Sequence, residues 1–130
     1  MKVKLLEVIL KLSNNNVCSY VNNNTKFTKK IPQHLQRLMI EKFCKEKKIS
    51  VSVELLEYNN MDHLPILFHA LEKIRFRKII IFSVESINTN HECIQRFLKK
   101  TKNTKKRICF ANEGIEFDSI EAKKIIKNFR

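Results

Sequence analysis

Apolar residues recur along the chain in blocks whose period switches between two and nearly four. Val17-Cys18-Ser19-Tyr20-Val21 is a short apolar run that stops at three asparagines, which predicts a strand entering a polar loop. Pro32 then fits the first turn of a helix, where its missing N–H costs nothing. Leu35, Leu38, Met39 and Cys44 fall near one helical face, with Ile40 and Phe43 widening the stripe. Lys45, Lys47 and Lys48 close that helix, where cations favour the negative end of its dipole. Ile49, Val51, Val53 and Leu55 alternate with polar residues and predict a second strand. Asp62 is positioned to cap a second helix, with Pro65 in its first turn and Leu64, Leu67, Phe68, Leu71 and Ile74 at helical spacing. The continuous run "KIIIFSV" predicts a strand buried on both faces. Thr89 and Glu92 form a capping-box pattern ahead of Cys93, Ile94, Phe97 and Leu98. "RICFA" predicts a fourth strand. Asp118 and Glu121 open a last helix carrying Ile120, Ile125, Ile126 and Phe129.

Strand followed by helix, four times over, predicts an open α/β fold: a mostly parallel four-stranded sheet with helices on both faces, a Rossmann-like three-layer arrangement. With 130 residues, one glycine and two prolines, residues 14–130 are expected to form a single α/β domain. Residues 1–13 ("MKVKLLEVILKL" and Ser13) are expected to form an N-terminal extension, either a helix or an edge strand.

Charge and composition narrow the function. The net charge of +13 comes from 26 basic residues, 20 of them lysine. Lysine, asparagine and isoleucine are the residues an AT-rich genome encodes, so codon usage accounts for part of this charge; a polyanion partner is the functional alternative. Glu7 and Lys11 interrupt the apolar run at the amino end, and no stretch reaches the ~20 apolar residues that span a membrane. A cytoplasmic protein is expected. Cys18, Cys44, Cys93 and Cys109 form no C-x-x-C pair and each stands in an apolar block, as buried free thiols do in a reducing compartment. The histidines show no metal-ligand spacing, and no glycine-rich phosphate loop or G-x-S-x-G is present, so neither a metal nor a nucleotide cofactor is expected.

In open α/β sheets ligands sit outside the carboxyl ends of the strands. That rule singles out Asn22, Asn23, Asn24 and Lys26 after the first strand, and Glu57 and Tyr58 after the second. Glu85, Ser86 and Asn88 follow the third, and Asn112, Glu113 and Gly114 the fourth. Helix N-termini on the same edge add Gln33, His34, His63 and His91. Solvation of loop ends explains such polar residues without a ligand, and must be weighed against a site. Most lysines and arginines fall at helix C-termini and so at the opposite edge, where they complement helix dipoles and keep the protein soluble.

"IPQHLQRLMIEKFCKEKKISVSVELLEY", "IIIFSVESI" and "ICFANEGIEF" together resemble the sporadic carbohydrate cluster protein family, small proteins encoded within bacterial surface-polysaccharide gene clusters. The resemblance runs over about residues 17–126. It is most specific at Pro32-Gln33-His34, at Glu57-Tyr58 with Met61, and at the "FANEG" around Glu113. Where relatives have Leu-Pro after the third strand, this chain has Ile87-Asn88. The pattern is more distantly similar to the catalytic domain of serine recombinases, whose first strand carries Tyr-x-Arg-x-Ser, and this likeness implies a resolvase-like fold. The corresponding stretch here is Tyr20-Val21-Asn22-Asn23-Asn24, with Asn24 at the nucleophile position and Asn22 at the arginine position. The second motif, Asp-Arg-Leu-x-Arg, corresponds to Glu85-Ser86-Ile87-Asn88-Thr89 and lacks both arginines. An amide cannot form the phosphoserine linkage, and nothing compensates the phosphate charge. The resemblance therefore implies a shared fold without recombination.

These resemblances imply an accessory or catalytic protein of surface-carbohydrate biosynthesis, of the lipopolysaccharide or capsule type, that binds a sugar or sugar-nucleotide intermediate at the carboxyl edge of the sheet. In that role His34 and Glu113 are the acid/base candidates. Asn22, Asn24, Gln33, Glu57, Tyr58 and Glu85 are the ligand-binding candidates. A catalytically dead resolvase-like nucleic-acid module is the first alternative. A partner-binding subunit without a small ligand, including a homo-oligomer, is the second.

Overall fold

A computed structural model describes residues 16–57, 61–102 and 106–117. The N-terminal extension, Tyr58 and the helix expected from Asp118 onward lie outside the described residues.

The elements follow the expected alternation: β1 (Val17–Asn22), α1 (Gln33–Lys47), β2 (Val53–Glu57), α2 (Pro65–Lys73), β3 (Lys78–Ile81), α3 (His91–Lys102) and β4 (Arg107–Phe110). A fifth strand, β5 (Ile115–Phe117), was not anticipated. The sheet order is β2-β1-β3-β4-β5, parallel throughout except for the antiparallel β4–β5 pair. The four-stranded expectation thus becomes five because the chain turns back directly after β4. Gly114, at φ +67°, takes the left-handed conformation that closes the turn, and its N–H donates to the Ala111 carbonyl. A three-residue strand after a polar turn has too short a period to register in sequence.

Alternate strand residues divide the core into two layers. Cys18, Tyr20, Leu55, Ile79, Ile81, Ile108 and Phe110 pack under α2 and α3, against Leu67, Phe68, Leu71, Ile94 and Phe97. Val17, Val21, Ile80, Phe82 and Cys109 point the other way, against Ile40, Phe43 and Cys44 of α1. β1 and β3 are therefore buried on both faces, as the run "KIIIFSV" requires. Each fully buried Phe or Ile contributes roughly 1.5–3 kcal/mol through removal from water.

Three local details differ from the sequence expectation. The first concerns α1, which buries Gln36, Ile40, Phe43 and Cys44, whereas Leu35, Leu38 and Met39 are exposed. Apolar residues lie on both sides of this helix, so periodicity could not select the inner one. Gln36 selects it: its Nε2 donates to the Asn22 carbonyl at 2.7 Å and the Ile31 carbonyl at 2.9 Å. Second, Asp62 does not cap α2. The N-cap residue is Leu64, held at φ +48°, and the first amides of the helix donate to the Glu57 carboxylate. Third, α3 is capped by Asn90, whose Oδ1 accepts from the Cys93 N–H at 2.7 Å, and not by Thr89. The Thr89 hydroxyl instead donates to the Asp62 carbonyl.

All four cysteines are free and buried. Burial pushes the Cys18 thiol up to about 11 and the Cys109 thiol up to about 12, so both stay protonated and act as core residues. The basic residues end the helices as expected: Lys45 and Lys47 in α1, Lys73 in α2, and Lys99, Lys100 and Lys102 in α3. Lys106 donates to the Leu71 and Ile74 carbonyls at the end of α2. No helix among the described residues is long and apolar enough to cross a membrane.

Candidate functional site

The strand order fixes where a crevice opens. From β1 the chain leaves toward β2 across one face of the sheet; from β3 it leaves toward β4 across the other. Their loops diverge, and the carboxyl ends of β1 and β3 become a topological switch point.

Asn22 stands at the centre of that edge and is fully buried. Its Nδ2 donates to the Tyr20 hydroxyl at 3.0 Å and the Ser86 carbonyl at 2.9 Å. Its Oδ1 accepts from the Asn24 N–H at 3.2 Å and the Thr28 hydroxyl at 2.8 Å. Two donors and two acceptor sites are thus all used within the protein. The Tyr20 hydroxyl passes the chain on, donating to Glu57 Oε1 at 2.8 Å. Burial first, and then the neighbouring Glu57 charge, hold the Tyr20 phenol well above its ordinary value. Glu57 is itself fully buried and accepts from the Ile66 and Leu67 N–H groups, a carboxylate at the positive end of α2.

The other amides of the edge hold backbone. Gln33 Nε2 donates to the Glu57 carbonyl at 2.9 Å, tying the start of α1 to the end of β2. Asn24 Nδ2 donates to the Met61 carbonyl. Asn23 Nδ2 donates to the Thr28 and Ile31 carbonyls. The loop after β1 is pinned at every turn, which is why a run of asparagines is ordered here.

Glu113 works similarly on the far side of the edge. Oε2 accepts from the Ser83 hydroxyl at 2.8 Å and from Asn112, and Oε1 accepts from the Val84 N–H at 2.9 Å. Ser83 and Ser86 complete a capping box over the 3-10 turn that follows β3. Glu113 therefore positions that turn. His34 is elsewhere: it is exposed at the start of α1 and lines a groove between that helix and β2, together with Arg37, Glu41 and Glu54. Glu113 does not line that groove.

What remains open at the switch point is a crevice of about 470 Å³ lined by Lys26, Phe27, Lys30, Glu85, Asn88 and Thr89. Lys26, Phe27 and Lys30 come from the loop after β1, and Glu85, Asn88 and Thr89 from the segment after β3. Phe27 is half-buried and stacks on Phe82, with ring centroids 6.2 Å apart. Asn88 Nδ2 donates to Glu85 Oε2 at 3.0 Å, an exposed hydrogen bond on the crevice wall. Of the ligand-binding candidates among the described residues, Glu85 lines this space, and so do Lys26 and Asn88, which the strand-end rule also singled out. Phe27 was missed altogether, although an aromatic residue between lysines in a polar loop ("TKFTKK") was the available signal. No group of three or more His, Cys, Asp or Glu side chains among the described residues could hold a metal ion.

No family model matches the chain, and no curated protein is significantly similar to it in sequence. Among solved structures, the chain is similar to the N-terminal catalytic domain of TP901-1 integrase, with a TM-score of 0.58 and 14% identity over 88% of this chain and 90% of that one. At that identity the likeness establishes the fold alone, a resolvase-like α/β sheet.

Proposed function

We propose that the protein binds a sugar-bearing ligand in the crevice between the loops after β1 and β3, as an accessory or catalytic protein of surface-carbohydrate biosynthesis. The observation that carries this reading is the crevice lining. It combines one aromatic ring, a carboxylate–amide pair, a hydroxyl and two ammonium groups. A sugar ring offers C–H faces to an aromatic side chain and hydroxyl edges to a carboxylate and an amide, and two lysines suit a phosphate carried by the sugar. The resemblance to the sporadic carbohydrate cluster family supplies the biological setting.

A nucleic-acid module is the second reading, supported by the likeness to an integrase catalytic domain and by the net charge of +13. It draws less support from the site. Six lysines sit in the last turns of the helices and not in the crevice lining, and Asn22 is consumed by its own network.

Saturation-transfer NMR against sugars, sugar phosphates and nucleotide sugars tests the first reading. Binding that is lost in Lys26→Ala and Asn88→Ala supports it, and silence across the panel sinks it. His34→Ala and Glu113→Ala in the same assay decide the acid/base proposal for those residues. Fluorescence anisotropy with DNA over a salt series separates the second reading, because phosphate contacts give an affinity that falls steeply with log salt.

A further inference from the structure

The two walls of the crevice come from segments that separate at the edge of the sheet. The backbone ladder between β1 and β3 ends where the Phe82 N–H donates to the Tyr20 carbonyl, at 3.2 Å, before either wall begins. Beyond that point side chains join the walls, and Asn22 reaches both. Its Nδ2 donates to the Ser86 carbonyl at 2.9 Å, between Glu85 and Asn88 of one wall. Its Oδ1 accepts from the Thr28 hydroxyl at 2.8 Å, between Phe27 and Lys30 of the other. Each foothold is stiffened by partners of its own. The Thr25 and Thr28 hydroxyls each accept from the other residue's N–H at 3.0 Å, which closes the turn carrying Lys26 and Phe27. Glu113 holds Ser83 and Val84, so Glu85 stands between a residue fixed by Glu113 and one fixed by Asn22. The stack of Phe27 on Phe82 adds an apolar tie.

We infer that Asn22 is the positioning residue of the crevice: one buried amide sets the spacing of Lys26, Phe27 and Lys30 against Glu85 and Asn88. The inference rests on reading the crevice as the ligand site. An amide suits this role because it presents two N–H donors and a carbonyl on one flat, rigid end. A carboxylate of the same shape has no donor for the Ser86 carbonyl. At 0% exposure, water does not compete for these bonds. Walls held in this way need not be ordered by the ligand, which lowers the entropic cost of binding. Asn22 does not line the crevice and acts only through Ser86 and Thr28. Its remaining Nδ2 hydrogen goes to the Tyr20 hydroxyl, which leads to Glu57 and to neither wall. Tyr20→Phe therefore weakens the network without releasing a wall, and so separates position from stability.

Amide hydrogen exchange of the full chain, without ligand, tests this strut directly. The Ser86 and Asn88 N–H groups donate within the turn after β3, to the Ser83 and Glu85 carbonyls. Asn22→Asp keeps the acceptor for Thr28 and removes the donor for Ser86, and should speed exchange of these two amides about ten-fold or more. Thr28→Val frees Asn22 on its other side at nearly constant volume and should speed them about three-fold, with Thr28→Ser at the parental rates. Tyr20→Phe should leave them within about two-fold of the parent. Parental rates in Asn22→Asp, or in Thr28→Val if the first variant does not fold, overturn the inference. So does an equal acceleration in Tyr20→Phe, which would mark a loss of stability and not of position. Titration with glucose 1-phosphate and UDP-glucose reads the consequence for the site. Where the parent binds, Asn22→Asp and Thr28→Val should weaken binding about ten-fold and Tyr20→Phe by less than about two-fold. Unchanged binding in both wall variants overturns the positioning role. A parent that binds neither probe, with fast exchange confined to the two wall variants, counts against the sugar reading and leaves the strut standing.

Discussion

Two groups of polar side chains share the carboxyl edge of the sheet, and they are built from the same residue types. One is the line Asn22–Tyr20–Glu57 with its branches to Ser86, Thr28 and the first amides of α2. The other is the crevice of Lys26, Phe27, Lys30, Glu85, Asn88 and Thr89. Each contains an asparagine and a glutamate. In the first, the donors and acceptors of Asn22 and Glu57 find partners inside the protein, and both residues are fully buried. In the second, Glu85 is partly exposed, Asn88 is exposed, and a single hydrogen bond joins their side chains. The difference teaches that hydrogen-bond satisfaction, rather than residue type or place along the strand, separates residues spent on the fold from residues left open in the crevice. A buried carboxylate that already accepts three hydrogen bonds has little left to offer a ligand.

That contrast can be broken by mutation. The largest effect is expected at Glu57. Glu57→Ala leaves the Tyr20 hydroxyl proton and two helix N–H groups without their acceptor and should cost about 3–5 kcal/mol in chemical denaturation. A loss below about 1 kcal/mol would mean that the network is decorative and that Glu57 belongs with the site after all. Tyr20→Phe removes one link while keeping the ring. It should cost about 1–2 kcal/mol and leave ligand binding of the folded protein unchanged.

Lys26→Ala and Lys30→Ala probe the other group. Stability should stay within about 0.5 kcal/mol of the parent, as for surface positions, while affinity for a phosphorylated sugar falls roughly ten-fold per lysine. Titration calorimetry alongside thermal melts reads both quantities. If stability and binding fall together, the two groups are one structure and the division fails.

The opposite edge sharpens the comparison through pH. Hydrogen bonding to Lys78, above all, holds the Glu116 carboxyl below its ordinary value of 4.5, with Arg107 adding to the effect. A carboxylate depressed in the folded state contributes stability that is complete above its unfolded value and is lost as pH falls through the folded one. The parent should therefore lose stability on acidification below about pH 4.5, and Glu116→Gln should flatten that slope at a cost of about 1–2 kcal/mol near neutrality. This is smaller than the Glu57 effect because Glu116 keeps partial access to water. A gain rather than a loss is expected at Lys48, which closes α1 at φ +57° with its N–H on the Cys44 and Lys45 carbonyls. Lys48→Gly should stabilise the fold by about 1 kcal/mol by removing the left-handed penalty, a gain that touches neither polar group.

Much of this architecture was legible beforehand. Alternation of period two and period near four is a local property, and it identified four strands, three helices and a parallel sheet. The Rossmann-type rule then placed Asn22, Glu57, Glu85 and Glu113 at one edge. The antiparallel β5 escaped because three residues cannot carry a period. The inner face of α1 escaped because apolar residues surround it and Gln36, a polar residue, is the one drawn inside. Asp62 and Thr89 looked like caps because capping patterns are local, whereas the cap of α2 comes from Glu57, nine residues before Ile66, across a loop.

The sequence by itself determined the order of elements, the burial of the thiols and the sheet edge at which Asn22, Glu57, Glu85 and Glu113 gather, since each follows from periodicity, composition or chain direction. Only the tertiary structure decided which polar residues at that edge are spent on the fold and which remain open. That decision depends on partners far apart in sequence, such as Tyr20 with Glu57 and Asn22 with Ser86, whose hydrogen bonds exist only after the strands have paired.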